Sequence, residues 1–258
     1  MPGSNYSWTT LYSELDRWSE SGKTANFWWR DDDAVEETVQ LQMLDALSQE
    51  THVPVSVAVI PAGLHISLAQ FLHSRENFIV LQHGYSHSSY TAKGGKKIEL
   101  GGERSTDEIQ AELITGCQQL SIAFANQFMP VMVPPWNRIE PRIYSSLAKA
   151  GFTGLSTMWA RKTAWPCPGI LQVNTHLDPI NWRHDRGFIG ETSALRQICQ
   201  HLSATRLAQA GSTEPAGILT HHLVQNDEVW TFCKNLFTAL NLHPAVKWLD
   251  AREIWGQS

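Results

Sequence analysis

Apolar residues at Trp8, Leu11, Tyr12, Leu15 and Trp18 fall three and four apart, the spacing of one helix face. They predict a helix over Tyr6–Ser19, stopped by Ser21-Gly22-Lys23. Phe27–Arg30 is a short, bulky run and reads as a first strand. Val39, Leu41, Met43, Leu44 and Leu47 give Thr38–Gln49 a buried side and make it a helix. Val53–Ile60 is β-branched and alternating, a strand. Leu64–His73 forms a helix after Pro61 and Gly63, and Phe78–Leu81 is too short for a helix but fits a buried parallel strand. Ser105 and Glu108 have capping-box spacing, and Ile109, Leu113, Leu120 and Phe124 continue the helix they open. Met129–Val133 is the next strand; Pro141 suits the first turn of a helix to Ala150, with Gly151 at C′. Short strands near Gly154–Thr157, Ile170–Val173 and Gly217–Thr220, helices near Ser193–Gln209 and Asp227–Leu240, and a last strand at Val246–Leu249 complete the pattern.

Strand and helix therefore alternate along the whole chain, which predicts a parallel sheet covered by helices. At 258 residues a closed or nearly closed barrel is favoured over an open doubly wound sheet. No Gly-x-Gly-x-x-Gly follows the first strand, so a dinucleotide fold has little support. The expectation is an α/β protein, a distorted (β/α) barrel of about seven strands, in one domain spanning residues 1–258.

Composition narrows this further. Hydrophobic residues make up 42% and charged residues 17%, as in a well-buried globular protein. A net charge of −5 without a dense basic stripe argues against nucleic-acid binding. Met1–Leu15 lacks the apolar core of a signal peptide, and no window is long and apolar enough to span a bilayer, so a cytoplasmic protein without membrane partners is expected. Cys117, Cys167, Cys199 and Cys233 are widely spaced and read as free thiols. Tryptophan is abundant, 11 residues, but core filling accounts for most of them. Only Trp136 and Trp182 stand beside other candidate site residues.

Functional groups of a (β/α) barrel sit at the C-terminal ends of its strands. Asp31-Asp32-Asp33 ends the first strand, His83 and His87 follow the third, Trp136 follows the fourth, and His221-His222 ends a late one. Three adjacent carboxylates resist ionising together unless a cation or shared protons intervene. Two imidazoles four residues apart plus one carboxylate make a divalent-ion site with positions left for water. The Gly- and Lys-rich stretch Ser88–Gly102, with Lys93, Lys96 and Lys97, reads as a solvated loop outside the site.

These motifs resemble those of the polysaccharide deacetylase superfamily, the NodB-homology carbohydrate esterases. The matching stretches are Asp32-Asp33, His83 with His87, Val133-Pro134-Pro135-Trp136 and Leu219-Thr220-His221, which span most of the chain. The resemblance implies a metal-dependent hydrolase that removes N-acetyl groups from a carbohydrate or small acetylated sugar. It implies a divalent ion, zinc by preference, on Asp33, His83 and His87. Asp32 would be the general base, the Trp136 N–H an oxyanion donor and His221 the general acid, with Pro135 and Trp182 on the substrate side. An Asp31-Asp32 register would shift these roles by one, and His222 could stand in for His221. Ala34 and the Leu-x-His spacing favour the assignment as given.

The sequence departs from the family at Val133, where the family carries the arginine that orients the base. Arg30, Arg138 and Arg183 are the candidates for that charge, Arg30 last if strand alternation turns it away from Asp32. Asp178-Pro-Ile-Asn-Trp182 loosely resembles the motif whose carboxylate supports that arginine. Two other functions stay open: hydrolysis of another C–N bond, such as a cyclic amide or ureide, and sugar binding without catalysis.

Overall fold

The computed structural model describes residues 6–208 and 214–256. The chain runs α1 (Trp8–Glu20), β1 (Ala25–Ala34), α2 (Val39–Thr51), β2 (Val55–Val59), α3 (Ile66–Leu72), β3 (Phe78–His83), α4 (Thr106–Phe124), β4 (Phe128–Val133) and α5 (Tyr144–Lys149). It continues with β5 (Gly154–Leu155), β6 (Leu171–Gln172), α6 (Glu191–Leu207), β7 (Ala216–Thr220), α7 (Asp227–Asn241), β8 (Val246–Trp248) and α8 (Ala251–Trp255). The expected elements are present, with ends moved by a few residues; Gln209, the predicted end of the sixth helix, lies outside the described residues. Two differences matter. The first strand carries the whole acidic triplet, and a short helix, α8, was not read from the sequence.

All the strand pairings are parallel, in the order β6-β5-β4-β3-β2-β1-β7, with β8 on the N-terminal part of β1. Between β6 and β7 the ladder shrinks to a single bridge, Leu177 with Ile218. This is the distorted, nearly closed barrel expected from the alternation.

Strand periodicity sorts side chains into two layers. Phe27 and Trp29 of β1, Val55, Val57 and Val59 of β2, and Phe78 and Val80 of β3 pack outward against the helices. Trp28, Ala58, Ile79, Leu81, Val131 and Val133 fill the interior, where α8 closes one end through Ile254 and Trp255. Trp255 meets Trp28 edge to face at 5.3 Å. Burying each such aromatic contributes roughly 1.5–3 kcal/mol. Gly217 is required here: a Cβ would lie 2.5 Å from the Trp28 indole nitrogen.

Helix ends follow their sequence signals. Ser105 and Glu108 form the reciprocal capping box at the start of α4, worth about 1 kcal/mol. Gly151 follows α5 at φ +90°, the left-handed conformation a C′ glycine adopts. Among the described residues no helix is long and apolar enough to cross a membrane.

Candidate active site

The interior row of β1 reads Trp28, Arg30, Asp32. Residues two apart on a strand share a face, so Arg30 lies beside Asp32. The arginine is fully buried and grips the carboxylate as a fork: Nε donates to Oδ1 at 2.8 Å and Nη2 to Oδ2 at 3.0 Å. Nη2 also donates to Asn137 Oδ1 at 2.7 Å, and Nη1 to Ser156 Oγ at 2.7 Å. Alternation puts Arg30 on the face of Asp32, so the condition that would rank it last among the candidate cations is not met. Arg138 instead bonds the Lys97 carbonyl, and Arg183 is exposed. Val133 stands before Pro-Pro, and the arginine that meets Asp32 comes from two residues ahead of it on the same strand.

Asp31 faces the other way. Its Oδ2 accepts from Thr220 Oγ1 at 2.6 Å and the His222 N–H at 3.0 Å, while Oδ1 pairs with His222 Nδ1 at 2.5 Å. Both side chains are buried outside the barrel interior. They fasten the end of β7 to β1 and stand apart from the residues around Asp33.

At Asp33 the strand breaks its own rule. The β1–β2 register shifts between Asp31 and Ala34, and Asp33 takes φ +77°. A bulge of this kind re-aims a side chain, and it brings Asp33 to the two histidines. Its Oδ1 lies 3.0 Å from His83 Nε2 and 3.4 Å from His87 Nε2. One ligand atom from each residue falls within 4.8 Å of the others. His87, Trp136 and Asn137 also have positive φ, at 56°, 56° and 55°. Among the described residues, half of the eight non-glycine residues in that conformation are thus at this site. Such backbone is costly for bulky side chains and persists only where surrounding contacts fix it.

The donor set fits a divalent cation. Asp33 Oδ1 is buried and has no hydrogen-bond partner, despite two imidazole nitrogens close by. His83 Nδ1 donates to the Val133 carbonyl at 2.9 Å, which leaves Nε2 a lone pair facing Asp33. Two imidazoles and one carboxylate suit zinc and related ions. Electrostatics agree. Burial would raise the Asp33 carboxyl, but contact with His83 and the charges of His83, His221 and His87 hold it well below the usual range. Burial works against protonating His83, yet Asp33 and Asp32 together raise it. His87 is lowered by burial and by the neighbouring His83.

The turn between the two histidines rests on Glu99, which sequence reasoning missed. Its Oε1 accepts from the Tyr85 and Ser86 N–H groups at 2.7 and 3.0 Å. The residue is fully buried, and burial raises its carboxyl. A Cβ on Gly84, at φ +54°, would lie 2.7 Å from Glu99 Oε2 and from the Pro135 ring. Pro135 is buried behind this turn rather than open to a substrate. The only hint in the sequence was a lone acid between Ile98 and Leu100. Ser88–Gly102, read as a detached solvated loop, is thus anchored under the histidines.

The remaining residues line the mouth. The Trp136 ring packs on His87 at 4.6 Å. The hydrogen bonds of its turn run from the Asn137 and Arg138 N–H groups to Pro134 and Pro135, and the Trp136 N–H takes no part in them. His221 touches the edge of Trp182 at 4.7 Å. Asp178 supports that tryptophan and not the arginine: its Oδ2 accepts from Trp182 Nε1 at 2.7 Å and Oδ1 from the Ile180 N–H at 2.9 Å. Burial raises the Asp178 carboxyl against the opposing charge of His221.

No protein-family model and no curated protein matches the sequence. Solved structures do match the fold. A candidate polysaccharide deacetylase from Mycobacterium smegmatis superposes with a TM-score of 0.66 at 15% identity, over 91% of this chain and 90% of that one. The fold is that of the polysaccharide deacetylases. A family 4 acetyl xylan esterase from Clostridium thermocellum, in complex with cobalt, gives 0.53 at 12% identity over 90% of each chain. A peptidoglycan N-acetylglucosamine deacetylase gives 0.55 at 12% identity over 95% and 98%. Within this deacetylase fold, Asp32, Asp33, His83 and His87 gather at the C-terminal ends of β1 and β3, where such barrels place their chemistry.

Proposed function

We propose that the protein is a metal-dependent hydrolase removing N-acetyl groups from a carbohydrate substrate. One observation carries the reading. Asp33, His83 and His87 converge at a single point, with a second carboxylate, Asp32, held rigidly at the same strand end. A divalent ion held there would polarise the acetamide carbonyl and supply an acidified water.

The chain's own residues divide the other tasks. Asp32 takes the proton of the attacking water; the Arg30 fork holds its carboxylate aimed. The free Trp136 N–H donates to the carbonyl oxygen as negative charge builds on it. His221, packed beside Trp182, returns a proton to the departing amine. An imidazole suits this because its ring nitrogens can both accept and donate a proton. Trp182 offers an exposed face at the mouth for a sugar ring or acetyl group.

The solved deacetylase and esterase structures support a hydrolase on this scaffold. A non-catalytic sugar-binding protein would need neither the Arg30–Asp32 fork beside three converging ligand side chains nor His221 against Trp182. The deciding experiment reconstitutes the protein with zinc and measures acetate and ammonia released from acetylated sugars and from cyclic amides. Acetate release that Asp32→Asn abolishes with metal retained supports the reading. Ammonia release without acetate would move the function to another C–N bond.

A further inference from the structure

The basic residues of this chain are distributed unevenly between paired and unpaired. Away from the site most meet a carboxylate: Arg17 and Arg206 on Glu14, Arg75 on Asp45, Arg104 on Glu112, Lys234 on Glu50 and Lys247 on Glu253. Among the described residues Lys93, Lys96, Lys97 and Arg138 on one rim of the site, and Arg183 and Arg186 beside Trp182 on another, form no such pair, and Lys23, Lys149, Lys162 and Arg196 form none either. Two acids of the rim are engaged locally, Asp185 accepting from the Gly187 N–H and Glu37 from Gln42, while Glu36 beside them is exposed. In a chain of net charge −5, positive charge left unpaired at a cleft mouth attracts anions.

Lys97 is the best placed of these cations. Its ammonium lies 5.6 Å from the centre of the Trp136 ring, and that ring packs 4.6 Å from His87. The charge therefore stands within about 10 Å of a candidate metal ligand, the reach of one or two sugar rings. Nor is its backbone free to wander. The Lys97 carbonyl accepts from Arg138 Nη1 at 2.9 Å, Leu100 bridges Ile139, and Glu99 ties the loop beneath the histidines.

We infer that the substrate is an acetylated amino sugar carrying an anionic group, a carboxylate or a phosphate, which Lys97 receives beside Trp136. The inference rests on the deacetylase reading and adds the charge of its substrate. Anchored to the rim, the anion orients the acetamido group toward Asp32 and His221.

The test compares acetate release by the zinc-loaded protein from neutral diacetylchitobiose, from N-acetylmuramic acid and from N-acetylglucosamine 1-phosphate. The last two separate carboxylate from phosphate. The expected result is kcat/KM about tenfold higher on one or both charged sugars, carried by KM and erased at about 1 M salt, where the screening length is ~3 Å. Lys97→Glu is expected to remove that preference, and Lys97→Arg to keep it. Equal kcat/KM on all three sugars, or a Lys97→Glu loss that is the same on each, would overturn the inference. Binding of the same sugars to the Asp32→Asn protein tells the two readings apart. Anionic preference in binding without turnover in the parent protein keeps the rim and removes the deacetylase. Turnover without preference does the reverse.

Discussion

The Arg30–Asp32 fork makes the sharpest energetic prediction. Both side chains are buried, at 0% and 2% exposure, and two short parallel bonds join them. Changing Arg30 to Met keeps most of the volume but leaves the Asp32 charge buried without its partner. It also strips donors from Asn137 and Ser156. Breaking a buried pair in this way costs about 3–5 kcal/mol. Replacing both members by apolar residues costs much less, because no orphan charge remains. In urea unfolding of the metal-free protein, Arg30→Met is therefore expected to lose about 3–5 kcal/mol, and Arg30→Met with Asp32→Leu to recover at least ~2 kcal/mol of that. Arg30→Lys keeps the charge but not the fork. It is expected to lower kcat about 10²-fold with metal content unchanged, a loss of ~2.7 kcal/mol in transition-state stabilisation. If the two single changes add to give the double within ~0.5 kcal/mol, the residues are energetically independent. The fork would then hold nothing in place, and the assignment of Asp32 as an aimed base would fail.

Other perturbations reach the supports of the site. Glu99→Ala leaves the Tyr85 and Ser86 N–H groups without their acceptor and is expected to weaken zinc binding ~10–100-fold by competition titration. Glu99→Gln, which retains an acceptor oxygen, should lose less; equal losses would refute the strut. His222→Ala leaves Asp31 buried without its imidazole partner and is expected to cost about 3 kcal/mol in denaturant unfolding while zinc still binds. A cost under ~1 kcal/mol would show the pair to be unimportant. Stability should also fall with acid for reasons remote from the metal. Burial lowers His201 to about 4, so its unfolded state, titrating near 6.5, binds protons first. The neutral ring's contribution is complete above pH 6.5 and is lost as pH falls from there to about 4. Glu214, held low against burial by His176 and the Arg161 and Asn174 N–H groups, adds a loss below its unfolded 4.5. Melting curves between pH 7 and 4 should show this decline, and His201→Gln should flatten its upper part; an unchanged slope would contradict it.

Much of this architecture was legible because periodicity is local. Three- and four-residue spacing marked α1 and α2, alternation marked β2, and Ser105 with Glu108 marked the start of α4. Strand-end logic also gathered Asp33, His83 and His87 from positions far apart in the chain, since parallel strands bring their C-terminal ends to one rim. What escaped was whatever depends on a backbone irregularity or a distant partner. The bulge at Asp33 turns two successive aspartates to the same mouth, which alternation alone forbids. Arg30 stayed open because its value hung on the parity of the strand from residue 30 to residue 32, which the bulge after Asp31 leaves intact. Glu99 gave almost no signal, since a lone acid in a glycine- and lysine-rich stretch becomes a strut only once the loop folds back under His83 and His87. Asp178 bears on Trp182 instead of an arginine for a related reason: among the described residues its carboxylate accepts from the indole and the Ile180 N–H, with His221 as the nearby cationic partner.

The most direct test is the metal content of the purified protein after incubation with zinc and removal of excess. About one ion per chain is expected, lost in His83→Ala and in His87→Ala and kept in His222→Ala, because only the first two remove ligands. A protein that stays metal-free under those conditions, or one that binds zinc equally well without His83, would contradict the convergence of Asp33, His83 and His87 on a single ion.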